Sequence, residues 1–209
     1  MDDPAVIERK HKKGHFSPQR IAFIAIFAAL ICVCSWIAVP SPFSLGVYFT
    51  LQTFGVILAG LLLSPFEALL TGLVYMLLGL VGLPVMSGFG TLYTRFPTAG
   101  GGYIIGFYIA PVLIALARTA IFSLTDRKLS GKARYKAHFA VYLALSLVIG
   151  ILAIDIPGLI QAMYFTKMGL KEAITPFALA FLPTDIVKCV LAAFTAHALE
   201  KPLKAIRSR

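Results

Sequence analysis

The sequence predicts an all-α membrane protein with six transmembrane helices. Apolar residues make up 59% of its 209 residues and charged residues only 13%, whereas soluble domains carry about a quarter charged residues. The apolar residues are gathered in six runs bounded by proline, glycine or charged segments. A helix needs about 20 apolar residues to cross the hydrocarbon core of a bilayer, and the four longer runs approach that length.

The first three predicted spans lie in the N-terminal half of the chain. Span one covers residues 21–39 and stops before Pro40 and Pro42, because proline cannot continue a helix. Span two covers residues 47–63 and span three residues 66–83. Spans two and three are short and joined by a tight Ser64-Pro65 link, so they are expected to form a helical hairpin.

The last three predicted spans are longer. Span four covers residues 103–124, span five residues 139–160 and span six residues 176–199. Asp155 and Pro157 lie within span five, near its outer end, and we expect them to interrupt the helix there. Basic segments flank the spans, which divides the chain into an N-terminal segment of residues 1–20, a membrane domain of residues 21–199 and a tail of residues 200–209.

The distribution of lysine and arginine predicts the orientation. With the N-terminus inside, fifteen of the 19 basic residues fall on the cytoplasmic side. Arg95, Lys167 and Lys171 fall outside, and Lys188 lies within a span. This asymmetry satisfies the positive-inside rule. An odd number of spans would put one terminal basic cluster outside, so both termini are predicted to be cytoplasmic.

Small residues recur at four-residue spacing in three of the spans. The pairs are Ala25 and Ala29, Gly102 and Gly106, and Ala192 and Ala196. Such spacing lets two membrane helices approach closely. For Ala25 and Ala29, packing within the protein and docking of a partner are both open.

The two predicted outer loops are unusual in composition. One reads PSPFSLGVYFT and the other MSGFGTLYTRFPTAGGG, which contains Arg95. Irregular backbone near membrane depth is tolerated where it is buried in protein or lines a wet cavity. We therefore expect both loops to fold over a site for a small solute. The planar guanidinium of Arg95 is suited to bind a carboxylate there, and the alternative is that Arg95 is an ordinary exposed loop charge.

An ionisable side chain within a span is costly and is therefore a functional candidate. Asp185 and Lys188 lie three residues apart in the run FLPTDIVKC, a spacing that places them on one helix face. Either they bind a polar ligand, or they form a structural ion pair that locks span six to its neighbours. Glu67 is expected to stabilise a helix N-terminus. Asp155 either joins the pocket, caps a turn or marks the membrane interface, and the last two roles are favoured.

The sequence gives little support for an enzyme or a nucleic-acid-binding protein. His11, His15, His138 and His197 have no metal-ligand spacing, and there is no phosphate-binding glycine loop followed by Lys-Ser or Lys-Thr. The three cysteines lie within apolar runs and suit packing. The net charge of +10 comes from basic residues that flank apolar runs, which favours orientation in a lipid bilayer over binding to nucleic acid.

Four stretches of the chain form a recognisable set: PFSLGVYFTLQTFGVILAGLLLSP, YMLLGLVGLPVMSGFG, PTAGGGYIIGF and FLPTDIVKCVLAA. Together they resemble the BioY family, the biotin-specific membrane subunits (S components) of energy-coupling factor transporters. They extend from the end of span one into span six. One departure is the stretch FPTAGGGY at residues 96–103, where the family usually reads Gly-Pro-Thr-Gly-Gly-Tyr.

The resemblance implies an S-component-like bundle of six helices in the bacterial cytoplasmic membrane. It implies capture of biotin from outside, with no cofactor, and release inside when a transmembrane coupling (T) subunit and two cytoplasmic ATPase subunits are bound. Alternatives are an S component for another small vitamin and a solitary solute facilitator.

The resemblance also implies roles for individual residues. Asp185 and Lys188 are implied contacts of the ureido head of biotin, and Arg95 is the implied partner of its carboxylate. Three further side chains are expected to line the site: Tyr93, Tyr103 and Tyr164. Ala25 and Ala29 match the small-residue motif with which the first helix of the family docks the coupling subunit.

Overall fold

A computed structural model describes residues 17–42 and 47–207. Residues 1–16 of the predicted basic segment lie outside the described residues. So do residues 43–46 of the first outer loop and residues 208–209 of the tail. The elements in chain order are α1 (Pro18–Trp36), β1 (Ala38–Pro40), β2 (Tyr48–Thr50), α2 (Gln52–Leu62), α3 (Pro65–Leu80), α4 (Leu92–Arg95), α5 (Gly101–Lys128), α6 (Gly131–Leu145), α7 (Ile151–Thr166), α8 (Leu170–Ile174) and α9 (Leu182–Arg207).

Four helical segments are long and apolar enough to cross a bilayer. They are α1, α5, α9 and a continuous segment of residues 131–166 that contains α6 and α7. A π-helical turn, Ser146–Gly150, joins α6 to α7. The described residues are therefore mainly helical, as predicted.

Helices α2 and α3 are shorter than the predicted spans. Helix α2 has 11 residues, and at 1.5 Å per residue it is only about 16 Å long. All of its residues except Phe54 are buried, so it lies within the protein and not against lipid. A buried position of this kind tolerates a short helix with irregular backbone at its ends.

A β-hairpin occupies the position where span two was expected to begin. Strands β1 and β2 pair antiparallel, with Ala38 opposite Thr50 and Pro40 opposite Tyr48. The expected start of span two at residue 47 was wrong. Tyr48, Phe49 and Thr50 carry no charge and so continue the uncharged run in the sequence, but these residue types also favour β-strands. The hairpin lies at the same end of the molecule as α4, which we call the hairpin end.

The later spans also differ from their predicted boundaries. Asp155 and Pro157 do not interrupt the fifth span, since both lie inside α7. Helix α9 begins at Leu182 instead of residue 176, because residues Thr175–Leu179 form a π-helical turn. At its other end α9 continues to Arg207, through most of the residues predicted to form a separate tail.

Helix α5 is the central helix, and glycine allows its close packing against α7. A Cβ atom on Gly106 would lie 2.6 Å from Cα of Ile154, and one on Gly102 would collide with the carbonyl oxygen of Pro157. The predicted close approach at Gly102 and Gly106 is therefore confirmed. This interface aligns the N-terminal turns of α5 with the middle of α7 at the hairpin end.

The other small-residue pairs differ from each other in burial. Ala192 and Ala196 are fully buried in the core of α9, α2 and their neighbours. Ala25 and Ala29 are exposed on α1. The first pair serves internal packing, whereas the second pair is left available on the surface of this chain.

The opposite end of the molecule, which we call the basic end, is held together by buried charge. Glu67 forms a capping box with Ser64 at the start of α3. This confirms the prediction that Glu67 stabilises a helix N-terminus. Its carboxylate also contacts Nη2 of Arg207 at 2.7 Å and Nε of Arg20 at 3.6 Å. These contacts join the first turn of α3 to the start of α1 and the end of α9.

The α5–α7 interface gives a test of the fold. Replacing Gly106 with Ser adds a Cβ atom against backbone that cannot move aside, and should destabilise the protein by about 1–3 kcal/mol. Thermal unfolding of the purified protein in detergent measures this effect. A Cβ atom on Gly169 meets no atom within 4 Å, so Gly169→Ser is the matched control. Equal melting temperatures for the two variants would contradict the packing described.

Candidate ligand-binding site

A cavity opens at the hairpin end between the β-hairpin and six helices. Its space is about 610 Å³, including the mouth that is open to solvent. Residues from β2, α2, α3, α4, α5, α7 and α9 line it, together with the loops that follow α3 and α4. Both loops predicted to cover a site contribute to its wall. The lining includes Tyr48, Thr50, Gln52, Tyr75, Met86, Arg95, Tyr103, Phe107, Ile154, Phe181, Asp185 and Lys188.

Asp185 and Lys188 form an ion pair in the wall of this cavity. Nζ of Lys188 lies 2.8 Å from Oδ1 of Asp185. The side chains are only 7% and 12% exposed, for Asp185 and Lys188 respectively. Both lie in the first two turns of α9, whose positive N-terminal dipole favours a carboxylate. The pair therefore faces the cavity in a setting with little water to weaken its charges.

Arg95 lies in the same cavity, at the end of α4. Its Nη2 donates to the hydroxyl of Tyr48 and to the carbonyl oxygen of Gly88, both at 3.2 Å. The guanidinium carbon also lies 4.5 Å from the centre of the Tyr48 ring. Nε of Arg95 is buried with no hydrogen-bond partner in the described structure. No carboxylate within 4 Å pairs with this guanidinium among the described residues.

The glycines of the loop give Arg95 its room. A Cβ atom on Gly90 would collide with Nε of Arg95, and one on Gly88 would lie 2.8 Å from its Nη2. Gly88 also has a φ of +61°, a backbone conformation that glycine adopts at little cost. The Ser-Gly-Phe-Gly sequence therefore folds around the arginine, in agreement with the expectation that this loop packs over a site.

A chain of hydrogen bonds stabilises the wall beside the ion pair. Nε2 of Gln52 donates to the hydroxyl of Tyr75 at 2.6 Å, and that hydroxyl donates to the sulfur of Met86 at 3.0 Å. The hydroxyl of Ser35 in α1 donates to the carbonyl oxygen of Val85 in the loop after α3, at 2.6 Å. The loop after α3 is thus fixed to α1, α2 and α3.

Aromatic side chains form the apolar part of the wall. Phe181 stacks on Phe49 with ring centres 4.4 Å apart, and lies against Tyr103 at 6.0 Å. The hydroxyl of Tyr103 donates to the carbonyl oxygen of Phe177. Because this hydroxyl has a protein partner, Tyr103 offers the cavity mainly its ring.

The structure brings four of the six predicted binding residues together. Asp185, Lys188, Arg95 and Tyr103 all line the cavity. Tyr93 and Tyr164 do not, and they are 65% and 69% exposed.

Helix geometry accounts for the position of the two exposed tyrosines. Tyr93 lies only two residues from Arg95 in the short helix α4, which directs it to a different face. Tyr164 lies near the end of α7, where Nζ of Lys167 is 4.5 Å from its ring centre. Both were predicted to line the site, and the structure places neither there.

Sequence reasoning missed Gln52 and Tyr75. Gln52 is a buried amide within the apolar run TLQTFGV, and such a polar group in a predicted span is itself a functional signal. Tyr75 gives no comparable signal, since tyrosine suits an apolar core as well as a site. Asp155 lies inside α7, so it does not cap a turn, and it does not line the cavity.

This arrangement fits a small solute with a neutral polar head and an anionic tail. The Asp185–Lys188 pair offers one acceptor and one donor side by side. Arg95 offers a guanidinium that has no carboxylate partner among the described residues, and aromatic rings line the same cavity. Among the described residues there is no group of three His, Cys, Asp or Glu side chains that could hold a metal ion. Fold and site together define a multi-pass membrane protein that binds a small solute.

Comparison with known proteins identifies the family. The model of the BioY family matches residues 9–205, so the chain belongs to the BioY family. It is 36% identical over 185 residues to a probable biotin transporter BioY of Pyrococcus horikoshii, covering 87% of this chain and 96% of that protein. It is also 36% identical over 179 residues to the biotin transporter BioY of Thermotoga maritima, covering 84% and 92%.

A solved structure supports the fold. The S-component for biotin from an ECF-type ABC transporter matches with a TM-score of 0.75 at 24% identity, over 88% of this chain and 91% of that one. Membership of a family of membrane transporters makes this chain a multi-pass protein of the cytoplasmic membrane and not an enzyme.

The ion pair gives a prediction for the protein without ligand. Asp185→Asn leaves the Lys188 ammonium without its carboxylate, and because some exposure to the cavity remains we expect a loss of about 1–3 kcal/mol of stability. Adding Lys188→Met removes the unpaired charge and should restore most of the lost stability. Thermal unfolding of the single and double variants tests this. A double variant no more stable than Asp185→Asn would show that the two side chains are not coupled.

Proposed function

We propose that this chain is the biotin-binding S component of an energy-coupling factor transporter. The observation that carries the proposal is that one cavity contains both the Asp185–Lys188 pair and the Arg95 guanidinium. Biotin has a neutral ureido ring at one end and a carboxylate at the other, joined by an apolar thioether ring and alkyl chain. The names of the family's curated members support the same ligand.

The chemistry of the two ends suggests how biotin is held. A ureido N–H group donates to the Asp185 carboxylate, and the ureido carbonyl oxygen accepts from the Lys188 ammonium. The tail carboxylate pairs with Arg95, whose Nε has no other partner in the described structure. The apolar middle of the ligand packs on Phe181 and the ring of Tyr103. Hydrogen bonds to charged groups are stronger than neutral ones, so both ends contribute to specificity.

Six membrane crossings with cytoplasmic termini form part of the proposal. Helices α2 and α3 serve as spans two and three, although each is shorter than the four long segments. The basic end then faces the cytoplasm, in agreement with the positive-inside rule, and the cavity at the hairpin end faces outward. Biotin therefore enters from outside and lies far from the cytoplasmic side until the protein rearranges.

Release inside is proposed to need a coupling subunit and two ATPase subunits. The matching solved structure is an S-component from an ECF-type ABC transporter, which supports partner subunits as the source of energy. Ala25 and Ala29 on α1 are candidates for the docking surface because both are exposed, together with Ile26 and Val33 on the same helix. Small side chains at four-residue spacing let a partner helix approach closely within a bilayer.

Arg95 gives a direct test of the binding mode. Arg95→Ala removes the charged partner of the ligand carboxylate and should weaken biotin binding by about 10- to 100-fold, since such a hydrogen bond is worth about 1.5–3 kcal/mol. Binding of biotinamide, which lacks the negative charge, should change much less. Isothermal titration of the purified protein in detergent measures both ligands.

Lys171→Ala is the control for this test. It removes another predicted outer cation that does not line the cavity, and it should leave biotin binding unchanged. Equal losses of affinity for biotin and biotinamide in Arg95→Ala would show that Arg95 does not recognise the carboxylate. Competition by thiamine or riboflavin as strong as by biotin would contradict the proposed ligand.

Docking gives a second test. Replacing Ala25 and Ala29 with Leu should block close approach of the coupling subunit and abolish its co-purification, while biotin binding by the isolated chain stays unchanged. Ala140→Leu is the matched control, because Ala140 is an exposed alanine on α6. If the Ala25/Ala29 variant retains the partner, α1 is not the docking helix. If it loses biotin binding as well, the two alanines serve internal packing.

A further inference from the structure

A second pocket lies at the basic end, between the start of α6 and the end of α9. Its space is about 890 Å³, including its open side. Lys132, Arg134 and Tyr135 from α6 and Lys201 and Lys204 from α9 form its walls, and all five are exposed. We call it the basic pocket. It is separate from the cavity that contains Arg95 and the Asp185–Lys188 pair.

The floor of the basic pocket is a cluster of hydrogen bonds centred on His138 and Glu200, both of which are buried. His138 is buried, with Nδ1 2.7 Å from Oε1 of Glu200 and Nε2 2.9 Å from Oδ1 of Asp126. Oε1 of Glu200 also accepts from Nζ of Lys204 at 2.7 Å. This cluster ties the end of α5, the start of α6 and the end of α9 together, so the pocket has a fixed floor.

Not all of the cations at the walls are neutralised by this floor. Arg134 lies 3.8 Å from Asp126, and Lys204 is paired with Glu200. Within residues 17–42 and 47–207, Lys132 and Lys201 have no carboxylate within 4 Å. Nζ of Lys201 lies 4.9 Å from the ring centre of Tyr135 instead. The pocket therefore has an excess of positive charge.

The start of α6 adds to that excess. No side chain caps this helix, and its first turn contains no acidic residue. Lys132 and Arg134 are in that turn, although the positive end of a helix dipole disfavours cations. The first N–H groups of a helix also have no partner within the helix. An anion bound in the basic pocket would offset the repulsion between these cations and the positive end of the helix dipole. It would also accept hydrogen bonds from the first N–H groups of α6, which otherwise bind water.

We propose that the basic pocket binds the headgroup of an anionic phospholipid. The ligand chemistry is a phosphate group with net negative charge, and the lipid source is favoured because the pocket lies beside the ends of two helices long enough to cross a bilayer. Tyr135 suits the same boundary, where aromatic side chains are enriched. The proposal depends on the membrane orientation given above but not on biotin as the ligand of the other cavity.

The experiment compares two soluble short-chain lipids on the purified full chain in detergent. Dioctanoyl-phosphatidylglycerol should bind and raise the unfolding temperature, whereas dioctanoyl-phosphatidylcholine should have little effect. Lys132→Gln combined with Lys201→Gln should weaken phosphatidylglycerol binding by about 25-fold, since each lysine near an anionic lipid contributes about fivefold. Native mass spectrometry of the lipid adducts gives the affinities.

A charge-matched control separates the pocket from general surface charge. Lys167 and Lys171 are exposed basic residues at the hairpin end that do not line the pocket. Lys167→Gln combined with Lys171→Gln should change the affinity by less than about twofold at 0.15 M salt, where screening is strong beyond about 8 Å. Unaltered unfolding of the lipid-free variants shows that both are folded.

Three results would overturn the proposal. Equal losses in the two double variants would mean that the lipid responds to overall charge and not to the basic pocket. Equal affinities for phosphatidylglycerol and phosphatidylcholine would show that the pocket does not recognise the negative charge of the headgroup. Binding of inorganic phosphate as tight as that of phosphatidylglycerol would identify a soluble phosphate compound, and not a lipid, as the occupant.

Discussion

The Asp185–Lys188 ion pair is the interaction on which the rest of the structure depends. Two charged side chains at the start of a membrane-crossing helix are costly unless they are paired. Their pairing at 2.8 Å, with little exposure, reduces that cost but leaves a polar surface within an apolar wall. The hairpin end is organised around this surface, since the β-hairpin, the loop after α3 and the first turns of α5 all contribute to the cavity that it faces.

Close helix packing keeps that cavity in place. Glycines 102 and 106 let α5 lie directly against the backbone of α7, which fixes Tyr103 relative to Ile154 at the cavity wall. Helix α2 is short and buried, and its first residues hold Gln52 beside Tyr75. At the basic end, Glu67 joins α3 to α1 and α9. The two ends therefore have separate polar clusters connected by an apolar core.

Sequence predicted that the charged residues share one site region and that the helices pack closely at Gly102 and Gly106. Asp185, Lys188 and Arg95 were identifiable because a charge in or beside an apolar run is costly and stands out against its neighbours. The β-hairpin was missed because Tyr48, Phe49 and Thr50 extend an apolar run while favouring a strand. Tyr93 and Tyr164 were misplaced because sequence does not show which face of a helix is turned to a cavity. The role of Gln52 needed the structure to supply Tyr75 as its partner.

A density map of the purified protein with biotin tests the central claim most directly. The account predicts the ureido ring within about 2.7–3.2 Å of both the Asp185 carboxylate and the Lys188 ammonium, with the tail carboxylate at Arg95. Biotin bound elsewhere, with the ion pair unchanged and its cavity empty, would contradict the account and leave the pair with a structural role alone.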